Sequence, residues 1–230
     1  MPYLFFDYWY IILVVPAIIF SIFAQIKVKS TYSQAAKIAS RSGLTGKDIA
    51  ERILHQNGIY DVSVVPIQGN LTDNYNPRAK TISLSEGVYN SSSVAALGIA
   101  AHEAGHTCQH YQNYSPISIR NAILPVANIG SSMAIPLVII GLIFKFGALV
   151  VAGIVFFAAV VLFQFITLPV EFNASSRAVK VLENGVLQPD ELAQTKKVLS
   201  AAAMTYVAAL AISLAQLLRL IILSRGDDRQ

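Results

Sequence analysis

Four long apolar runs limit what this chain can fold into. They lie at roughly residues 8–26, 122–144, 148–170 and 198–223. Each reaches the roughly 20 residues that a helix needs to cross the hydrocarbon core of a bilayer. Buried helices of a soluble core are the competing reading, and four runs of this length tell against it. Only 13% of the residues are charged and 54% are hydrophobic, whereas a soluble domain carries about a quarter charged residues. The expected fold is therefore a predominantly α membrane protein with four transmembrane helices. The first run does not read as a cleaved signal peptide. Asp7 precedes it, Lys27 and Lys29 follow it, and no small-residue cleavage pattern comes after. It reads as a retained anchor.

Charge gives the expected orientation. Nine Lys or Arg fall between residues 27 and 120, and four more between 171 and 197. Only Lys145, Arg219, Arg225 and Arg229 lie elsewhere. The positive-inside rule puts both basic segments on the cytoplasmic side of a cell membrane, and four crossings starting outside agree. The expected organisation is an anchor (1–26), a small α+β cytoplasmic domain (27–121) and a transmembrane hairpin (122–170) turned at "FKFG". A cytoplasmic segment (171–197) and a fourth helix with a short tail (198–230) follow. Lys145 and Arg219 are expected to snorkel to the outer interface. The single Cys108 excludes an internal disulfide framework and suits a reducing compartment. The net charge of +4 calls for no nucleic acid; contact with anionic lipid heads of the bilayer explains it.

Within residues 27–121 the pattern alternates between helix and strand. "TYSQAAKIASRS" can prolong the first helix. "SGLTGKDIAERILHQNGI" predicts a second helix, with Thr45 as N-cap, Asp48 closing a variant capping box, and Gly58 ending it. "DVSVVPI" and "RAKTISLSE" read as strands, separated by a stretch rich in turn formers. From Ser93 the pattern becomes helical again, with Ser91, Ser92 or Ser93 as the cap.

That last helix holds "AAHEAGHTCQH", with three of the four histidines. His102, Glu103 and His106 form H-E-x-x-H. On a helix His102 and His106 share a face about 6 Å apart along the axis, so two imidazoles can close on one zinc ion. Glu103, beside that face, is placed to act on water as a catalytic base rather than to ligate. Ala101, Ala104 and Gly105 are small enough to let another element approach. His110 lies too far along the helix to join the other two and reads as a supporting or surface residue. Position 112 is Gln112, which excludes the zincin class with a third motif histidine. Cys108 reads as a packing residue, and His55 as a surface one.

A catalytic zinc site needs a third protein ligand. Asp73, Glu86, Glu171, Glu183, Asp190 and Glu191 are the candidates on the same side of the membrane. Glu171 is favoured because it follows the third apolar run directly. Glu86 is the runner-up.

The order of the apolar runs, "LTDNYNPRAKTISLSEGVY", "AAHEAGH", "QHYQNYSPISIR" and "LPVEFNASSRA" together resemble the YugP-type family, membrane proteins classed as neutral zinc metallopeptidases of gluzincin-like character. The resemblance covers essentially the whole chain. It implies a zincin-like cytoplasmic domain, zinc held by His102, His106 and Glu171, and Glu103 as catalytic base. Two positions depart from the pattern. Ser175 stands where many gluzincins place an aspartate that orients a zinc histidine, and Asn173 where the family pattern has an acid. Both departures bear on the residues around the ligands.

The function expected is peptide-bond hydrolysis at the cytoplasmic membrane face, on peptides or membrane proteins. The strand "TISLS" is expected to offer an edge to an extended substrate. Tyr75, Tyr89, His110 and Arg177 are candidate donors to the developing oxyanion. The alternative is a non-catalytic membrane scaffold stabilised by zinc. A transporter is disfavoured, because Gln164 and Gln216 are almost the only strongly polar residues in the runs.

Overall fold

The computed structural model describes residues 7–227. Residues 1–6 of the expected anchor segment and 228–230 of the tail, Arg229 among them, lie outside these. A π-helical turn, Tyr10–Val14, leads into α1 (Val15–Ala35). Then come α2 (Gly46–Gln56), β1 (Ser63–Ile67), β2 (Asn74–Asn76), β3 (Thr81–Ser85), α3 (Glu86–Tyr89) and α4 (Val94–Tyr111). Three long helices end the chain: α5 (Ser115–Ile143), α6 (Gly147–Glu183) and α7 (Pro189–Asp227). The molecule is thus mostly helical with one small sheet. Among the described residues, four helical stretches are long and apolar enough to cross a membrane: Tyr10–Ala35, Ser115–Ile143, Gly147–Glu183 and Pro189–Ser224.

The chain divides into two compact units. One gathers the chain up to Ala24, Ser118–Leu168 and the chain from Met204; the other is Gln25–Ile117 with Pro169–Ala203.

The first unit is all helix. Its outer surface is apolar, with Ile19, Phe23, Val155 and Phe165 all exposed, as befits a surface facing lipid. α5 and α6 form a hairpin whose turn carries Lys145 at φ 55°. They approach so closely that a Cβ on Gly130 would lie 2.5 Å from the Phe156 carbonyl oxygen. Small residues at such contacts let helix backbones meet in an apolar solvent. Arg219 is enclosed rather than turned to solvent. It is 5% exposed and pairs with Asp7 at 2.7 Å, its guanidinium 5.2 Å from the centre of the Tyr10 ring. Asp7, just ahead of the first helix, supplies the carboxylate that makes burying this cation tolerable.

The second unit positions the site. Thr45 caps α2, accepting from the Asp48 amide, while the Asp48 carboxylate accepts from the Thr45 amide. Ile49, Ile53 and Leu54 bury one face of the helix, and it stops before Gly58, at φ 71°. The sheet has the order β1-β3-β2. β1 runs parallel to β3 from Ser63↔Thr81 to Ile67↔Ser85, and β2 runs antiparallel through Asn74↔Ser83 to Asn76↔Thr81. β3 is therefore the central strand, and "TISLS" is not the free edge that was expected. The turn-rich stretch before it supplies a third strand that covers it, because Tyr75 in that strand packs against the core. Ile82 and Leu84 point into that core beside Val88, Leu97 and Leu182. α4 is buried nearly all round, with twelve of its eighteen residues enclosed. Ser93 caps it by accepting from the Ala96 amide.

Candidate metal centre

α4 and α6 meet where α4 is thinnest. A Cβ on Gly105 would stand 3.0 Å from the Ala174 carbonyl oxygen and 3.4 Å from its Cα. Gly105 thus does what its size predicts, and the α6 backbone lies almost against α4 there. Glu171, one turn before Ser175 on α6, is brought to the histidine face in this way.

Three donor atoms converge there. The Nε2 atoms of His102 and His106 are 3.1 Å apart. Glu171 Oε2 lies 3.3 Å from the first and 3.5 Å from the second. Glu171 is 3% exposed, and its Oε2 has no hydrogen-bond partner. A buried carboxylate oxygen without a donor is costly unless a charge meets it. Two imidazole nitrogens and one carboxylate oxygen within 4.8 Å of one another form the one such group among the described residues that could hold a metal ion. That N,N,O set suits zinc.

Burial would lower the His106 pKa, but the Glu171 carboxylate 3.5 Å away and the charge of Glu103 raise it above the ordinary value. Burial pushes the Glu103 carboxyl up; His102 and His106 offset part of that shift, and the Glu171 charge adds to it. Glu103 is thus within electrostatic reach of all three donors.

The other acidic candidates are held elsewhere. Asp73 accepts from the Ser85 amide at 2.7 Å. Glu86 is exposed at the start of α3. Glu183 pairs with Lys196, and Asp190 with Arg41. The buried Glu191 accepts from the amides of Arg41 and Gln188. Cys108 packs in the core, where burial raises its thiol pKa. His110 is exposed between the rings of Tyr75 and Tyr111. His55 is exposed and stacks on Tyr60. Arg177 does not reach Glu171; it donates to Asn173 Oδ1 and to Gln112 Oε1.

The partners of the two histidine Nδ1 atoms are uncharged. Ser175 Oγ is 3.1 Å from His102 Nδ1, so a hydroxyl occupies the place expected for an aspartate. Gln109 Oε1 is 3.0 Å from His106 Nδ1, and Gln109 Nε2 donates to the Val170 carbonyl and to Asn173 Oδ1. Gln109 was missed from sequence. Its spacing from His106, three residues along the same helix, is the signal that could have found it.

Comparison with known proteins gives a family. The family described as "Putative neutral zinc metallopeptidase" matches residues 10–225. A "Putative membrane protease YugP" of Bacillus subtilis (strain 168) is 45% identical over 215 residues, covering 93% of this chain and 96% of that protein. No solved structure matches.

Proposed function

The chain belongs to this neutral zinc metallopeptidase family, and on that premise we propose that it is a membrane-embedded hydrolase cleaving peptide bonds at the cytoplasmic face. The observation that carries the reading is the convergence of His102, His106 and Glu171 around a buried, otherwise unpartnered carboxylate oxygen. These three residues would hold the zinc ion. When bound, zinc supplies Lewis acidity, polarising a carbonyl and making water easier to deprotonate.

The remaining work falls to the chain's own groups. Glu103 acts as general base, accepting the proton of the attacking water and returning it to the leaving amine. Its place next to His102 on α4 puts it beside the donors without making it one of them. Gln109 and Ser175 hold the two imidazoles in orientation. Three protein donors leave a position open, as a catalytic site requires and a closed structural site does not. The excess of Lys and Arg at 27–120 and 171–197 supports the cytoplasmic assignment. Because Glu171 directly follows an apolar run, the substrates are membrane proteins or peptides exposed near the bilayer.

Elemental analysis of the detergent-purified protein tests the centre. The wild type should carry about one zinc per chain, Glu171→Ala should lose it, and Glu103→Gln should keep it while losing hydrolysis. Metal-free wild type, or full zinc in Glu171→Ala, would overturn the centre. Wild-type cleavage by Glu103→Gln would overturn the mechanism, whereas a zinc-loaded wild type that cleaves nothing would leave the zinc-stabilised scaffold.

A further inference from the structure

We propose that Gln109, turned by the Val170 carbonyl and by Arg177 acting through Asn173, locks His106 in the tautomer with its proton on Nδ1, whereas Ser175 imposes no tautomer on His102. The significance for metal binding rests on the reading above, in which both Nε2 atoms face the ion. The lock itself follows from donors and acceptors alone.

Gln109 is fully buried on α4. Its amide nitrogen faces two oxygens of α6, the Val170 carbonyl at 2.8 Å and Asn173 Oδ1 at 3.0 Å. A backbone carbonyl can only accept. Asn173 Oδ1 is also 2.7 Å from Arg177 Nε, and a guanidinium can only donate. The atom between Arg177 and Gln109 must therefore be the asparagine oxygen, and the glutamine must turn its NH2 group towards α6. Its oxygen is left 3.0 Å from His106 Nδ1. That oxygen only accepts, so Nδ1 carries the hydrogen. In the neutral ring Nε2 is then bare, with its lone pair directed at the place where Glu171 Oε2 and His102 Nε2 meet.

Arg177 is itself held in place. Its Nη1 donates to Gln112 Oε1 at 2.6 Å, and Gln112 Nε2 donates to Asn57 Oδ1 at the end of α2. The direction of every bond from Arg177 to His106 is thus set by a group that cannot reverse. His102 differs. Its Nδ1 meets a serine hydroxyl, which can donate or accept by rotating. An aspartate at that position would hold a proton on Nδ1, as the Gln109 oxygen does for His106. Serine imposes no such choice. The two histidines are therefore unequal: His106 is a preset donor, and His102 is one that adjusts.

The test uses full-length protein with ¹⁵N-labelled histidine, in detergent, stripped of metal with a chelator and kept at a pH where the imidazoles are neutral. Ring-nitrogen NMR of the wild type should show His106 protonated at Nδ1 and bare at Nε2. Gln109→Met should move the His106 nitrogens towards an average of the two tautomers, and Arg177→Met should do so to a smaller extent, because the Val170 carbonyl still turns Gln109. They should also weaken Zn²⁺ binding by about 10- to 100-fold. Arg177→Lys, still a donor only, should restore the wild-type pattern, and Ser175→Ala should leave the His106 signature unchanged. A bare His106 Nδ1 in the wild type, or an unchanged signature in Gln109→Met, would overturn the lock. The wild-type spectrum decides the point even if a variant fails to fold. The expected signature in a protein that takes up no Zn²⁺ would support the lock and sink the metallopeptidase reading.

Discussion

Gly105→Ala puts the packing of α4 on α6 to a quantitative test. Two effects of the added methyl oppose each other. Alanine in a helix interior is favoured over glycine by about 1 kcal/mol. Against this, the new Cβ would stand 3.0, 3.4 and 3.5 Å from the oxygen, Cα and carbonyl carbon of Ala174. All three are backbone atoms, so no side chain can rotate away and α6 itself must shift by a few tenths of an ångström. Overpacking of this kind costs about 1–3 kcal/mol. Since the relief must come from a whole helix, the upper part of that range applies, and the net loss is about 1–2 kcal/mol. The same shift moves Glu171, one turn before Ala174, away from His102 and His106. Zinc affinity should fall by about tenfold, the low end for disturbing groups that orient ligands. Thermal unfolding in detergent and competition against a zinc chelator measure the two losses. Gly147→Ala is the control: a Cβ there meets nothing within 4 Å, so stability should be unchanged or slightly raised. If Gly105→Ala matches the wild type in both measurements, the close approach of the helices does not set the geometry of the centre.

Removing one partner of the enclosed Asp7–Arg219 pair should be costly. Arg219→Leu leaves a carboxylate side chain only 13% exposed with no partner charge and should destabilise by about 3–5 kcal/mol. The double variant Asp7→Leu/Arg219→Leu should recover most of the loss in detergent unfolding; no difference between single and double variants would show that the pair is energetically idle. Thr45→Ala removes one half of the α2 capping box and should lower stability by about 1 kcal/mol, read as a lower denaturation midpoint. The Thr45 hydroxyl and amide hold the Asp48 carboxyl below its ordinary value. That contribution is present above the unfolded carboxylate range and is lost as pH falls through the lowered folded value. Thr45→Ala should therefore flatten the acid limb of the stability profile, and an unaltered limb would count against the assignment.

The parts legible in the sequence were those where one local rule decides. Apolar length marked the four long helices, and Thr45 with Asp48 marked the start of α2. The serine run 91–93 marked the start of α4 without choosing the cap, and the H-E-x-x-H spacing placed two imidazoles on one face. The small residues at 101, 104 and 105 announced a close neighbour without saying which. The parts that were hidden depend on partners distant along the chain. β2 lies in a run of turn formers and becomes a strand because Tyr75 packs against the core and Asn74–Asn76 meet β3. The partner of Arg219 was hidden because Asp7 lies 212 residues away. Gln109 looked like a polar residue near the end of a helix. Its role depends on Val170 and Asn173, which only the folding of α6 brings to it.

The centre's parts also become available at different times. α4 is complete at Tyr111, whereas Glu171 and Ser175 lie beyond α5 and the apolar part of α6. Ser175 follows His102 by 73 residues, roughly 4–15 s of synthesis at about 5–20 residues per second. Throughout that interval the growing chain presents two imidazoles with neither the carboxylate nor the hydroxyl that complete their surroundings. A chain released after α5 remains in that state. The three-donor centre therefore exists only in molecules whose second hairpin arm has been synthesised through Glu171.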